Sequence, residues 1–162
     1  MTQETSADMN TQPSSSGKIQ PTRQVHRLRI LLVVMLITLT IQGWFGDTVN
    51  IFVAPPGTST TVPFSSLIQT ISSYGFLLIW HAFEGLFLVI LALVLIGASF
   101  KWSKKRSVRI TSILGAFMVI SAAIGGLSFV LSGFNAGGSS AQMGGSFIGA
   151  YAFYFMELYY TK

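Results

Sequence analysis

LLIWHAFEGLFLVILALVLIGASFKWSKKRSVR, from Leu77 to Arg109, decides the fold. Apart from His81 and Glu84 it holds no ionisable side chain before Lys101, and then five basic residues follow within nine positions. An apolar run of this length reads as a membrane crossing, and the basic turn beside it sets the direction of that crossing. The rest of the chain agrees. Of its 162 residues 51% are hydrophobic and 9% charged, where a soluble domain carries roughly a quarter charged.

Working outward, the apolar stretch reaches from Leu67 to Phe100. Wholly helical it would be about 50 Å long against a hydrocarbon core of ~30 Å. Its more polar start, LIQTISSYG, is therefore expected to project into the interface or to tilt the helix. Upstream, Arg23, Arg27 and Arg29 abut ILLVVMLITLTIQGWFG (Ile30 to Gly46), a first span over about 28–46. A cleaved signal peptide is the alternative reading, but the polar lead is long and no small-residue cleavage site follows Gly46. Residues 1–25, rich in Ser, Thr and Gln, read as a disordered tail.

Between the first two spans, Pro55, Pro56, Gly57 and Pro63 forbid a sustained helix. A third span covers about 108–133, NAGGSSAQ forms a polar link, and a fourth covers about 143–160, near the lower limit for crossing. The expected fold is all-α: residues 26–162 make a polytopic bundle of four antiparallel transmembrane helices.

Charge placement supports this alternation. All ten Lys and Arg fall before Ile30, in the 101–109 turn or at Lys162, and the links 47–66 and 135–142 contain none. That bias puts both termini and the basic turn in the cytoplasm of a cell membrane. The net charge of +5 thus reads as a topology signal, with anionic headgroups as a further contact and no nucleic-acid partner. Trp44, Trp80 and Trp102 read as interfacial anchors. There is no cysteine, which removes disulfides, thiolate metal sites and covalent c-type haem attachment. No phosphate-binding glycine loop, Ser/His/Asp constellation or HExxH motif is present, so no catalytic residue is assigned.

His81 and Glu84 stand out. Counted back from Ser99, His81 falls near the outer interface and Glu84 one turn deeper, on a shared helix face. Both are expected to point into the bundle, with Gly85 opening room. Glu84 would be protonated, paired with His81, or bonded to Gln42, Thr38, Thr40 or Ser121. Such a pair is either a packing lock or a functional proton or polar site. Glu157, near the cytoplasmic end of the last span, is expected to snorkel or pair with Lys104, Lys105 or Lys162. Small residues at four-residue spacing (Ser121 and Gly125, Ala122 and Gly126, Gly145 and Gly149) are expected to let backbones approach closely. His26 reads as part of the basic flank.

The two halves of the chain are also written alike. IQGWFGDTVNIFV closes the first span and ISAAIGGLSFVLSG the third, placing Gly46 and Gly126 equivalently. The returning helices open WHAFEGLFLVI and QMGGSFIGAYAF. Two pseudo-repeated hairpins result. This succession resembles the four-helix halves of haem A synthase and related small b-type cytochrome bundles, over roughly Leu28 to Tyr160. The resemblance implies haem b held by a histidine on the second helix, matched by His81, and another on the fourth, where this chain has Met143. Met143 would then be the opposite axial ligand, with Gly85 and Gly126 clearing space for the macrocycle. Three functions stay open: a haem-binding electron-transfer protein or redox-complex subunit, a cofactor-free structural or assembly subunit, and a small proton-coupled carrier using Glu84. Other membrane-complex subunits or a second copy would be its partners.

Overall fold

The computed structural model describes residues 20–52, 61–135 and 137–162, and every regular element among them is helical. In chain order they are α1 (Gln20–Phe52), a 3-10 turn (Phe64–Ser66), α2 (Leu67–Ser73), α3 (Phe76–Trp102), α4 (Arg106–Leu131) and α5 (Gly137–Tyr160). The four long helices form a ring in which α1 and α4 each pack on both α3 and α5, with the most extensive contact between α4 and α5. The segments over Arg23–Val49, Phe76–Trp102 and Arg106–Leu131 are each long and apolar enough to cross a bilayer. This is the build of a multi-pass membrane protein.

Apolar spacing explains the ring. Leu28, Leu32, Met35 and Leu39 recur at four, three and four residues along α1 and are all buried, the stripe that faces a helical neighbour. Leu88, Leu91, Ala92 and Leu95 answer from α3, Val108, Ala116 and Val119 from α4, and Ala150 and Tyr154 from α5. The outward faces carry Ile37, Phe83, Phe117, Ile148 and Phe155, all exposed, as expected where lipid is the solvent. Since hydrocarbon surrounds these faces, close packing and polar contacts hold the helices together more than apolar burial does.

Several boundaries differ from those read in the sequence. The helix α1 starts at Gln20, inside the expected tail, and runs through Gly46 and Asp47 to Phe52; Pro21 falls in its first turn, where no backbone N–H is needed. The rest of the tail, residues 1–19, and the proline-rich 53–60 lie outside the described residues. The long second stretch is two helices. Gly75 breaks it at φ 89° and ψ −180°, a conformation open only to glycine, so LIQTISSYG stands apart as α2. The crossing itself is the 27 residues of α3, about 40 Å long.

At its end α4 closes in a Schellman turn: Phe134 N–H donates to Phe129 O and Gly133 N–H to Val130 O, both at 3.0 Å, with Gly133 at φ 65°. The helix α5 then begins at Gly137, six residues before the expected start at Met143. Packing on α4 overrides the weak helix propensity of Gly and Ser there: a Cβ on Gly125 would lie 3.1 Å from Ser139 O and 3.0 Å from Met143 N.

Candidate functional site

Two groups of polar side chains lie within the bundle, a partly covered one at one end and a buried one at the other. The first lies on the α1–α3 seam, away from the basic turn. Gln42 Nε2 donates to the His81 carbonyl oxygen at 3.1 Å and lies 3.4 Å from His81 Nε2. Two glycines make this approach possible. A Cβ on Gly46 would sit 3.3 Å from His81 Cε1, and one on Gly85 would sit 3.4 Å from Gln42 Nε2. His81 Nδ1 and Gln42 Oε1 are buried without partners.

The expectation that His81 and Glu84 both face the bundle interior is therefore corrected. His81 is in the seam, bonded to Gln42. Glu84 turns instead to a shallow groove on the outer surface, shared with Thr38, Trp80, Phe83 and Phe87. The three aromatic rings of that groove are exposed, yet Glu84 Oε2 is out of reach of solvent and has no hydrogen-bond partner. None of the expected partners serves it. Gln42 is held by His81; Thr38 Oγ1 donates to Val34 O at 2.9 Å and Thr40 Oγ1 to Leu36 O at 2.8 Å. Ser121 is on the other side of the ring, accepting from Ser146 Oγ at 3.0 Å.

The second group lies between α4 and α5 near the basic turn, and the sequence reading missed it. Glu157 and Tyr154 are wholly buried, and so is Ser112. Among the described residues the Glu157 carboxyl oxygens, Tyr154 OH and Ser112 Oγ have no hydrogen-bond partner outside their own group, and Tyr154 and Ser112 lie beside the carboxyl. Gly115 sets the depth of the tyrosine: a Cβ there would come within 2.8 Å of Tyr154 Cζ. So Glu157 neither snorkels nor meets a lysine. Lys105 Nζ donates instead to Tyr160 O at 2.9 Å and Lys162 O at 2.7 Å, and the Lys162 ammonium stands over the Tyr159 ring at 5.2 Å. A usable signal was present: Ser146, Ala150, Tyr154 and Glu157 fall at spacings of four, four and three on one buried face of α5.

Met143 Sδ lies 3.3 Å from where a Gly126 Cβ would be. His81 and Met143 thus each rest against a glycine on a neighbouring helix, His81 against Gly46 of α1 and Met143 against Gly126 of α4. The spaces beside Gly85 and Gly126 hold Gln42 and Met143, and the His81 nitrogen nearest a partner, Nε2, faces Gln42. Among the described residues no group of three or more His, Asp or Glu side chains could hold a metal ion. Of the small-residue pairs, Gly125 brings α4 and α5 close, Gly149 receives Met118, and Gly145 faces open space. No protein-family model, curated protein or solved structure matches this chain.

Proposed function

We propose that this chain is a four-span protein of the cell membrane, with both termini in the cytoplasm, and that it works without haem as an assembly or interaction subunit. Its groove around Glu84 receives a transmembrane helix of another membrane protein that brings a hydrogen-bond donor or a basic side chain. The observation carrying this reading is that Glu84 lines a lipid-facing groove while its inner oxygen, Oε2, finds no hydrogen-bond partner among the described residues. Ionisable groups within a bilayer normally face a bundle interior or a partner, and this one has neither among the described residues. A second copy would set one Glu84 carboxyl toward another, so a helix of different sequence is the better complement.

The fourth crossing is α5, whose 24 residues suffice for a bilayer. Its lower hydropathy comes from its glycines, its four tyrosines and Glu157. Lys105 reaching the α5 end supports placing that end on the basic side. The matched contacts of Gly46 with His81 and Gly126 with Met143 support a pseudo-twofold pair of hairpins. A carrier fits less well, because Leu39, Leu88, Leu91, Ala92, Leu95, Ala116 and Val119 form a buried apolar belt between Glu84 and Glu157.

The test places a photo-crosslinking residue at Phe83, with Phe155 as an exposed control on α5. The expected result is a single membrane polypeptide captured at Phe83 only, and lost in Glu84→Leu. Equal capture at both positions, or capture indifferent to Glu84, would defeat the proposal. A reduced-minus-oxidised spectrum of the purified protein is expected to be flat; Soret and α bands that vanish in His81→Ala would restore the haem reading.

A further inference from the structure

We propose that Ser112, Tyr154 and Glu157 form a buried site for one sodium ion, at the end of the α4–α5 interface nearest the basic turn. Four oxygens sit there on fully buried side chains: two of the carboxyl, one hydroxyl of Ser112 and one of Tyr154. Among the described residues none has a hydrogen-bond partner outside this group. A carboxylate cannot stay charged and bare in such a place; it is neutralised either by a proton or by a bound cation.

The basic residues close by do not neutralise it. Lys105 is bonded to the backbone oxygens of Tyr160 and Lys162, Lys162 stands over Tyr159, and Arg109 is bonded to Ser103 O at 2.9 Å. That leaves a proton or a cation from solution, and the two further buried hydroxyls beside the carboxyl favour the cation. The donor set is all oxygen, which selects a hard ion. One carboxylate balances a single charge, whereas calcium takes six to eight oxygens, commonly from several carboxylates, and magnesium keeps an octahedral shell with several waters. Sodium fits both limits. Gly115 against the Tyr154 ring fixes the phenol, and Tyr154 and Glu157 lie one turn apart on α5, so the site is shaped before the ion arrives. Its effect would be to lock α5 onto α4.

The experiment follows thermal unfolding of the purified full-length chain in detergent, at constant ionic strength, as sodium replaces choline. A saturable rise of about 4 °C at ten times the half-saturating concentration is expected, abolished in Glu157→Gln and reduced in Tyr154→Phe and Ser112→Ala. An unfolding temperature equal in sodium and choline would overturn the site. A rise that survives Glu157→Gln would overturn it too, as would a Glu157→Gln protein as stable in choline as the wild type in sodium, since a bound proton then does the neutralising. Equilibrium binding of radioactive sodium to the wild type gives a reading independent of any variant: one ion per chain is expected, and no retention refutes it.

Discussion

The two ends of this bundle solve the same problem differently. Near the basic turn the interior is shut: Leu28, Leu32, Leu95, Val108, Tyr154 and Glu157 are all fully buried, and an aromatic ring fills the hollow of Gly115. Toward the opposite end His81, Gln42 and Glu84 are only partly covered, and the glycines Gly46 and Gly85 admit the His81 imidazole and the Gln42 amide. Aromatic clusters of Trp44, Phe45, Phe76 and Trp80 collect on that side. The difference teaches that a glycine in a membrane helix has no single meaning. What it admits decides whether the seam becomes a rigid joint or a place with unmet polar capacity.

The contrast can be broken most severely at its closed end. Tyr154→Ala should cost about 3–5 kcal/mol, the range for deleting a large buried ring, read from unfolding in detergent. Phe147→Ala, whose ring faces Gly43 at the opposite end but is only partly buried, should cost about half as much. A smaller effect is expected from overfilling. Gly115→Val forces the Tyr154 ring to move and should destabilise by about 1–3 kcal/mol, whereas the same change at Gly145, which faces open space, should be close to neutral beyond its propensity effect. Next comes Gln42→Leu, which removes both contacts to His81. A loss of about 1 kcal/mol, the usual scale for hydrogen bonds between membrane helices, is expected in the same unfolding measurement. The smallest change in stability belongs to Glu84→Gln, within about 0.5 kcal/mol, because its buried oxygen has no partner to lose. Its visible effect should be on crosslinking at Phe83 alone. If it destabilises the isolated chain as much as Gln42→Leu does, the groove belongs to the fold and not to a partner.

Much of the fold is legible in the residues, and for physical reasons. Apolar runs near 20 residues long, bounded by segments of basic residues or of Pro, Gly and Ser, mark out the long helices. The break at Gly75 is harder to see, since a lone glycine in an apolar run is common and only its positive φ reveals the corner. The early start of α5 is hidden because Gly137–Ser140 favour loops by themselves and become helical by packing on α4. For the sites, hydropathy gives depth but not rotation about the helix axis. His81 and Glu84 are one turn apart, yet one enters the α1–α3 seam and the other an outer groove. The same ambiguity made Glu157 read as a snorkelling surface acid when its face, shared with Tyr154, is fully buried.

The claim beneath all of this is that α5 crosses the membrane, returning the chain to the side of the basic turn. Because the chain has no cysteine, single replacements at Thr61, Lys104, Gly138 and Lys162 can each be tested with an impermeant thiol reagent in sealed cells and in inside-out vesicles. The account predicts that Lys104→Cys and Lys162→Cys react from the cytoplasmic face, and Thr61→Cys and Gly138→Cys from the other. Lys162→Cys reacting together with Gly138→Cys would mean three crossings and would contradict it.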